Sequence, residues 1–91
     1  MREYYDKSLI GVTELIGLVY AEDKRQIIKW GYQIHTLFEW LTYTTEELGE
    51  LAKAISEFTY RDGDKERIVK EAIQTATLCL KIAKMVKEEG Q

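Results

Sequence analysis

Three glutamates, Glu46, Glu47 and Glu50, stand within the stretch TTEELGELAKAI at 44–55. Glu47 and Glu50 are three residues apart, so on an α-helix they leave one face about 60° apart and can grip one ion from neighbouring turns. A fourth acid, Glu71, stands on a later apolar stretch, where Ile68, Thr75, Leu78 and Ile82 share its helical face. A carboxylate in such surroundings loses its hydration, and burying it unpaired is costly. An amine, a hydrogen-bond network, protonation or a metal must compensate. Lys70 and Lys81 fall on other parts of that wheel, and a facing row of acids adds repulsion unless a cation sits between. A divalent cation resolves the conflict. Carboxylates and the Gln74 amide oxygen, with no cysteine pair and no histidine pair, favour Mg²⁺ or Mn²⁺ over zinc. Mg²⁺ held this way takes phosphate oxygens as further ligands, so the site implies a phosphorylated substrate and hydrolysis of a phosphoanhydride.

Each of these residues also has an ordinary structural role open to it. A Glu-Glu-x-x-Glu run describes a solvated helical face equally well. Trp30, Tyr32, Phe38 and Trp40 can stack a base, or they can be plain core. Gln33 and His35 read either as ligand contacts or as polar residues near a helix start. Gln74 alone reads as a satisfied buried amide. Cys79, among apolar neighbours, reads as packing.

Three helices must position these groups. Leu9, Val12, Leu15 or Ile16, and Val19 recur at three- and four-residue steps and predict a first helix from about Tyr5 to Ile28, weakened by Gly11 and Gly17 and ended near Trp30-Gly31. Residues 30–35 are a connection. Thr36-Leu37-Phe38-Glu39 has capping-box spacing and starts the second helix. On its wheel Leu37, Leu41, Leu48, Leu51, Ala52 and Ile55 fall on one side, and Glu39, Tyr43, Glu46, Glu47, Glu50 and Glu57 on the other: one face is oily and the opposite one strongly acidic. Gly49 within this helix costs roughly 0.5 to 1 kcal/mol relative to alanine, which points to close approach by another backbone or a ligand. Arg61-Asp62-Gly63-Asp64 reads as a turn, with Gly63 at positive φ and Asp64 capping a third helix over about 65–87. That helix is apolar around much of its circumference and wants neighbours on several sides.

The expected fold is therefore all-α: a single-domain helical bundle of about three main helices per chain, completed to a four-helix-type bundle by oligomerisation. A chain of 91 residues buries only roughly 60% of its unfolded surface, which also argues for self-association. Hydrophobic residues at 45% exclude a disordered chain, and a net charge of −3 removes the basic footprint of a nucleic-acid binder. No apolar run is long enough for a membrane span, and no segment resembles an export signal. With its lone Cys79, the chain is expected in the cytoplasm.

The order Trp30-Gly31-x-Gln33-x-His35, Phe38-Glu39-Trp40-Leu41, Glu46-Glu47-Leu48-Gly49-Glu50-Leu51-Ala52 and Lys70-Glu71-Ala72-Ile73-Gln74 resembles the MazG-like all-α nucleoside triphosphate pyrophosphohydrolases over residues 27–86. The family motif is two acids three apart, a gap, then Glu-x-x-Asp. The resemblance implies Mg²⁺-dependent hydrolysis of a nucleoside or deoxynucleoside triphosphate to the monophosphate and pyrophosphate, in a homodimer or homotetramer. By position it implies that Glu47, Glu50, Glu71 and Gln74 are metal ligands. Glu46 serves as an outer-sphere acid and takes the proton from the attacking water. Lys53, Arg61 or Lys81 neutralises the departing pyrophosphate, and the base lies against Trp40, with Gln33 or His35 at its edge. Gln74 departs from the family's aspartate; its amide oxygen still ligates Mg²⁺ but removes one negative charge, which weakens affinity. Two alternatives stand beside this reading: phosphoribosyl-ATP pyrophosphohydrolase, and a non-catalytic helical assembly or partner-binding module with a decayed metal site.

Overall fold

Local chemistry sets the helix ends in the computed structural model, which describes Ser8, Leu9 and residues 11–89. Helix α1 spans Thr13–Trp30, α2 Leu37–Arg61 and α3 Lys65–Glu89, with no strand among the described residues. The fold is all-α. Thr36 Oγ1 accepts from the Glu39 amide at 3.1 Å and Glu39 Oε1 accepts from the Thr36 amide at 2.8 Å, closing the expected capping box. Asp64 Oδ1 accepts from the Glu66 amide at 2.9 Å and caps α3. At the end of α1, Gly31 takes φ 75° and returns its amide to the Ile27 carbonyl at 2.7 Å.

Two boundaries differ from the sequence reading. The first helix begins at Thr13 rather than near Tyr5, because Gly11 turns to φ 82° and the Val12 amide bonds the Leu9 carbonyl at 3.2 Å, a turn that leaves the helical path. Residues 5–7 and 10 of the expected helix lie outside the described residues. In the second turn it is Asp62, at φ 56°, that adopts the left-handed conformation expected of Gly63. Gly63 is needed for room: a Cβ there would lie 2.9 Å from the Glu57 carbonyl carbon and 3.0 Å from the Phe58 nitrogen. Gly49, by contrast, has open space where a Cβ would stand: no described backbone of this chain approaches it.

Helix α3 is the spine, with α2 packed antiparallel along it and α1 on another side. Along α2 the inward positions are Trp40, Thr44, Glu47, Leu51 and Ala54, alternating steps of four and three as in a coiled-coil seam. The facing stripe of α3 is Arg67, Glu71, Gln74, Leu78, Lys81 and Met85. The seam draws on both sides of the helical wheel. Of the residues placed on the oily side only Leu51 turns partly inward, while Leu37, Leu41, Leu48 and Ile55 face outward, Leu48 at 54% exposure. Cys79, expected in packing, is exposed. The seam tolerates hydroxyls because Thr44 and Thr77 donate to the Trp40 and Ile73 carbonyls four residues back, each at 2.8 Å.

The core this leaves is small: Val19, Trp40, Ala54 and Leu78 are its buried hydrophobic side chains among the described residues. Apolar side chains are left exposed outside it, from Leu15, Ile16 and Leu18 on α1 and the outer row of α2. Among the described residues no helix is long and apolar enough to cross a membrane.

Candidate functional site

The antiparallel register of α2 and α3 brings Glu47 opposite Glu71 and Gln74. Glu71 is 8% exposed, as its apolar neighbours require. Gln74, one turn further along α3, reaches between the two acids: its amide group lies 2.9 Å from Glu47 Oε2 and 3.0 Å from Glu71 Oε2, donating through nitrogen to both. Burial first, then the hydrogen bond to Glu71 and the charges of Glu71, Glu50 and Glu22, push the Glu47 carboxyl above its ordinary range. Glu47 therefore holds its proton to higher pH than an exposed glutamate.

These three groups fit a hard divalent cation. Ligands at 2.0–2.1 Å on neighbouring corners of an octahedron stand about 2.9 Å apart, and the Gln74 amide stands 2.9 and 3.0 Å from the two carboxylate oxygens. A half-turn of that amide would put its oxygen where the nitrogen was, beside one oxygen of each carboxylate. The set contains two carboxylates; no group of three or more His, Cys, Asp or Glu side chains is arranged to hold a metal among the described residues. Two carboxylates with waters and phosphate oxygens are the usual Mg²⁺ complement.

Glu50 is not brought into this cluster. Its carboxylate pairs with Arg67 at 3.2 Å, and Arg67 also binds Glu57 at 2.7 Å, so Glu50 acts on Glu47 through its charge. Glu46 is exposed and lines the groove beside Glu47. That groove, about 460 Å³, runs between α1 and α2 with α3 as its floor. Its aromatic end holds His35, Trp40 and Tyr43 edge-to-face, with ring centroids 5.0 to 6.1 Å apart. Trp40 is buried, and Lys81 Nζ sits 5.6 Å from its ring centroid, so Trp40 walls the groove. The open aromatic surface there is Trp30, 60% exposed. Gln33 and His35 line both this groove and a neighbouring one of about 590 Å³.

Of the expected basic residues, Lys53 and Arg61 are exposed and line neither groove. Lys81 is committed to Gln26 Oε1 at 2.6 Å and to Asp23 at 3.2 Å, and faces the neighbouring groove. The sequence reading missed Glu22 and Arg25 on α1. Glu22 accepts from Arg25 Nε at 2.9 Å, from an Arg25 terminal nitrogen at 2.8 Å and from Gln26 Nε2 at 2.6 Å. The Arg25 guanidinium and these further bonds hold the Glu22 carboxyl below the usual carboxylate range, despite the opposing effect of burial. The charge-rich AEDKRQ run was the available signal, but its register against α2 is a tertiary property. No family model, curated protein or solved structure matches this chain.

Proposed function

We propose that this protein hydrolyses a nucleoside or deoxynucleoside triphosphate to the monophosphate and pyrophosphate, using Mg²⁺ or Mn²⁺. The observation that carries the reading is the buried Glu71, facing Glu47 across the helix seam with the Gln74 amide 2.9 and 3.0 Å from their oxygens. Glu47, Glu71 and the Gln74 oxygen would hold the cation, with Glu50 adding charge from the next turn. When bound, the cation supplies neutralisation for the polyphosphate and acidifies water in the groove.

The chain's own residues supply the rest. Glu46, exposed beside Glu47, accepts the proton of the water whose oxygen bonds the α phosphorus as the bond to the bridging oxygen breaks and pyrophosphate leaves. Trp30 offers a face for the base, Trp40 and His35 wall its pocket, and Gln33 stands where a base edge can be read. The working unit in this reading is a homodimer or homotetramer, supported by the outward apolar rows. Its nucleotide substrate and single cysteine fit a cytoplasmic setting.

The test is pyrophosphate release from a panel of triphosphates with Mg²⁺, Mn²⁺ or EDTA, beside Glu47→Gln. Expected is metal-dependent release that falls about 100-fold or more in the variant. No release from any triphosphate by folded protein refutes the reading, and release from phosphoribosyl-ATP alone changes the substrate.

A second reading has one observation in its favour. With its nitrogen inward, Gln74 satisfies both carboxylates without any cation, and no buried side-chain polar atom among the described residues lacks a partner. A non-catalytic helical assembly module would look the same. It predicts no thermal stabilisation by Mg²⁺ and an effect of Glu47→Gln on association alone.

A further inference from the structure

The groove that holds Glu46 and Glu47 is acidic, and a polyphosphate entering it needs a cation from the protein as well as a metal. Arg25 is the one Lys or Arg among the side chains lining that groove. We propose that Arg25 receives the terminal phosphates of the substrate and that Glu22 is the positioning residue that holds it there; the inference rests on the polyphosphate reading above.

The geometry distinguishes this pair from an ordinary surface ion pair. Glu–Arg pairs three residues apart on a helix are common and contribute little. Here the acid is nearly buried and the cation is not: the Glu22 side chain is 10% exposed and that of Arg25 50%. Glu22 is fixed from two helices, because the Gln26 amide that donates to it at 2.6 Å accepts in turn from Lys81 Nζ of α3, also at 2.6 Å. An acid so anchored holds Nε and one terminal nitrogen of Arg25, at 2.9 and 2.8 Å, and fixes the plane of the guanidinium. Of the five N–H donors, two meet Glu22 and three remain, two of them side by side at the end of the guanidinium. That pair is a fork that binds a phosphate through two parallel hydrogen bonds.

Among the described residues no other Lys or Arg lines this groove. Arg67 is held by Glu50 and Glu57, and Lys81 by Gln26 and Asp23. With Glu47, Glu71 and Gln74 at one end and Arg25 across the groove, a bound triphosphate is held by its reacting phosphate on the carboxylate side and by its far phosphates on α1.

The experiment compares wild type with Arg25→Ala, Arg25→Lys and Glu22→Gln in three measurements with Mg²⁺ present: kcat and KM for triphosphate hydrolysis, calorimetric binding of inorganic tripolyphosphate, and Tm. Arg25→Ala should weaken tripolyphosphate binding and raise KM by about 10- to 100-fold, the range for losing charge-assisted hydrogen bonds, with kcat and Tm changed little. Arg25→Lys should recover part of this, since an ammonium keeps the charge without the fork. Glu22→Gln should give a smaller loss of the same kind, in KM and not in kcat. Hydrolysis by wild type with unchanged KM and tripolyphosphate binding in Arg25→Ala overturns the proposal and leaves the hydrolase reading standing. Should Arg25→Ala unfold, Arg25→Lys carries the test, and binding equal to wild type overturns the proposal. If folded wild type hydrolyses no triphosphate, the hydrolase reading fails. Tripolyphosphate binding that Arg25→Ala abolishes would then still support Arg25 as the anchor, and absence of binding by wild type would overturn it.

Discussion

Replacing Gln74 by glutamate changes the cluster's chemistry with almost no change in its shape. The amide that donates to Glu47 and Glu71 at 2.9 and 3.0 Å becomes a third carboxyl at the same distances. Two unit charges 3 Å apart repel by roughly 5 to 6 kcal/mol at an effective dielectric of about 20. The protein can avoid this by binding another proton, which costs about 1.4 kcal/mol for each pH unit above the carboxyl's ordinary pKa, or roughly 5 kcal/mol near pH 8. Because the new carboxylate faces two others, the repulsion is counted twice and protonation is the cheaper route in alkaline solution, whereas near pH 5.5 it costs only about 1 to 2 kcal/mol. With solvent relaxation reducing the larger figure, Gln74→Glu in EDTA should lose about 2 to 4 kcal/mol near pH 8. In Tm this is a fall of roughly 10 to 25 °C for a domain of this size, and the fall should be much smaller in mildly acidic solution.

Millimolar Mg²⁺ should reverse the order of the two proteins. Three carboxylates bind a hard cation more tightly than two and an amide, so the variant should gain more Tm from Mg²⁺ than wild type does. The assay is thermal unfolding at two pH values, with EDTA or Mg²⁺, at fixed protein concentration because association also raises Tm. Equal destabilisation with and without Mg²⁺ in alkaline solution would refute the assignment of Glu47, Glu71 and Gln74 as a cation site.

Glu47 makes a related prediction for the unaltered protein. A carboxyl whose folded pKa lies above its unfolded value contributes stability that is full below the unfolded pKa and is lost as pH rises through the folded one. The metal-free chain should therefore lose this contribution on going from acid to neutral pH, while Mg²⁺ binding should release protons and tighten over the same interval; calorimetry in buffers of different ionisation heat checks both, and pH-independent binding would count against Glu47 as a ligand. Gly63→Ala, whose Cβ would meet the Glu57 backbone at 2.9 Å, should lower stability by roughly 1 to 3 kcal/mol in chemical denaturation, with the per-molecule affinity of the folded protein for Mg²⁺ unchanged.

Much of the fold was legible because its signals are local. The capping box at Thr36, the Asp64 cap and the glycine after Trp30 are satisfied by atoms within four residues of chain. A carboxylate at position 71 was expected to lose water because its helical neighbours are apolar, and it is buried. The start of α1 was placed too early because periodicity runs through Gly11, while a single positive φ ends the helix there. The exchange of roles between Asp62 and Gly63 has a similar cause: either residue can take the left-handed conformation, and the nearness of Glu57 decides which position must lack a side chain.

The wheel set the acidic side with Glu47 toward Glu71, but the rest of the inward face of α2 could not be read from it. Hydrophobicity ranks faces by side-chain type, and the leucine row is the oilier one, yet the seam against α3 runs through Trp40, Thr44, Glu47, Leu51 and Ala54. A glutamate is tolerated there because the Gln74 amide on the facing helix donates to it, a compensation that does not exist until the helices pair. The same pairing turns Glu50 toward Arg67, seventeen residues away in sequence, and brings Glu22 and Arg25 of α1 to the groove. What the sequence determined by itself was therefore the three helices, most of their ends and the acids that need a partner. Which acids meet, and which cation faces them, was decided only by tertiary packing, because charge acts through space and its neighbours are fixed by helix register, which composition does not encode.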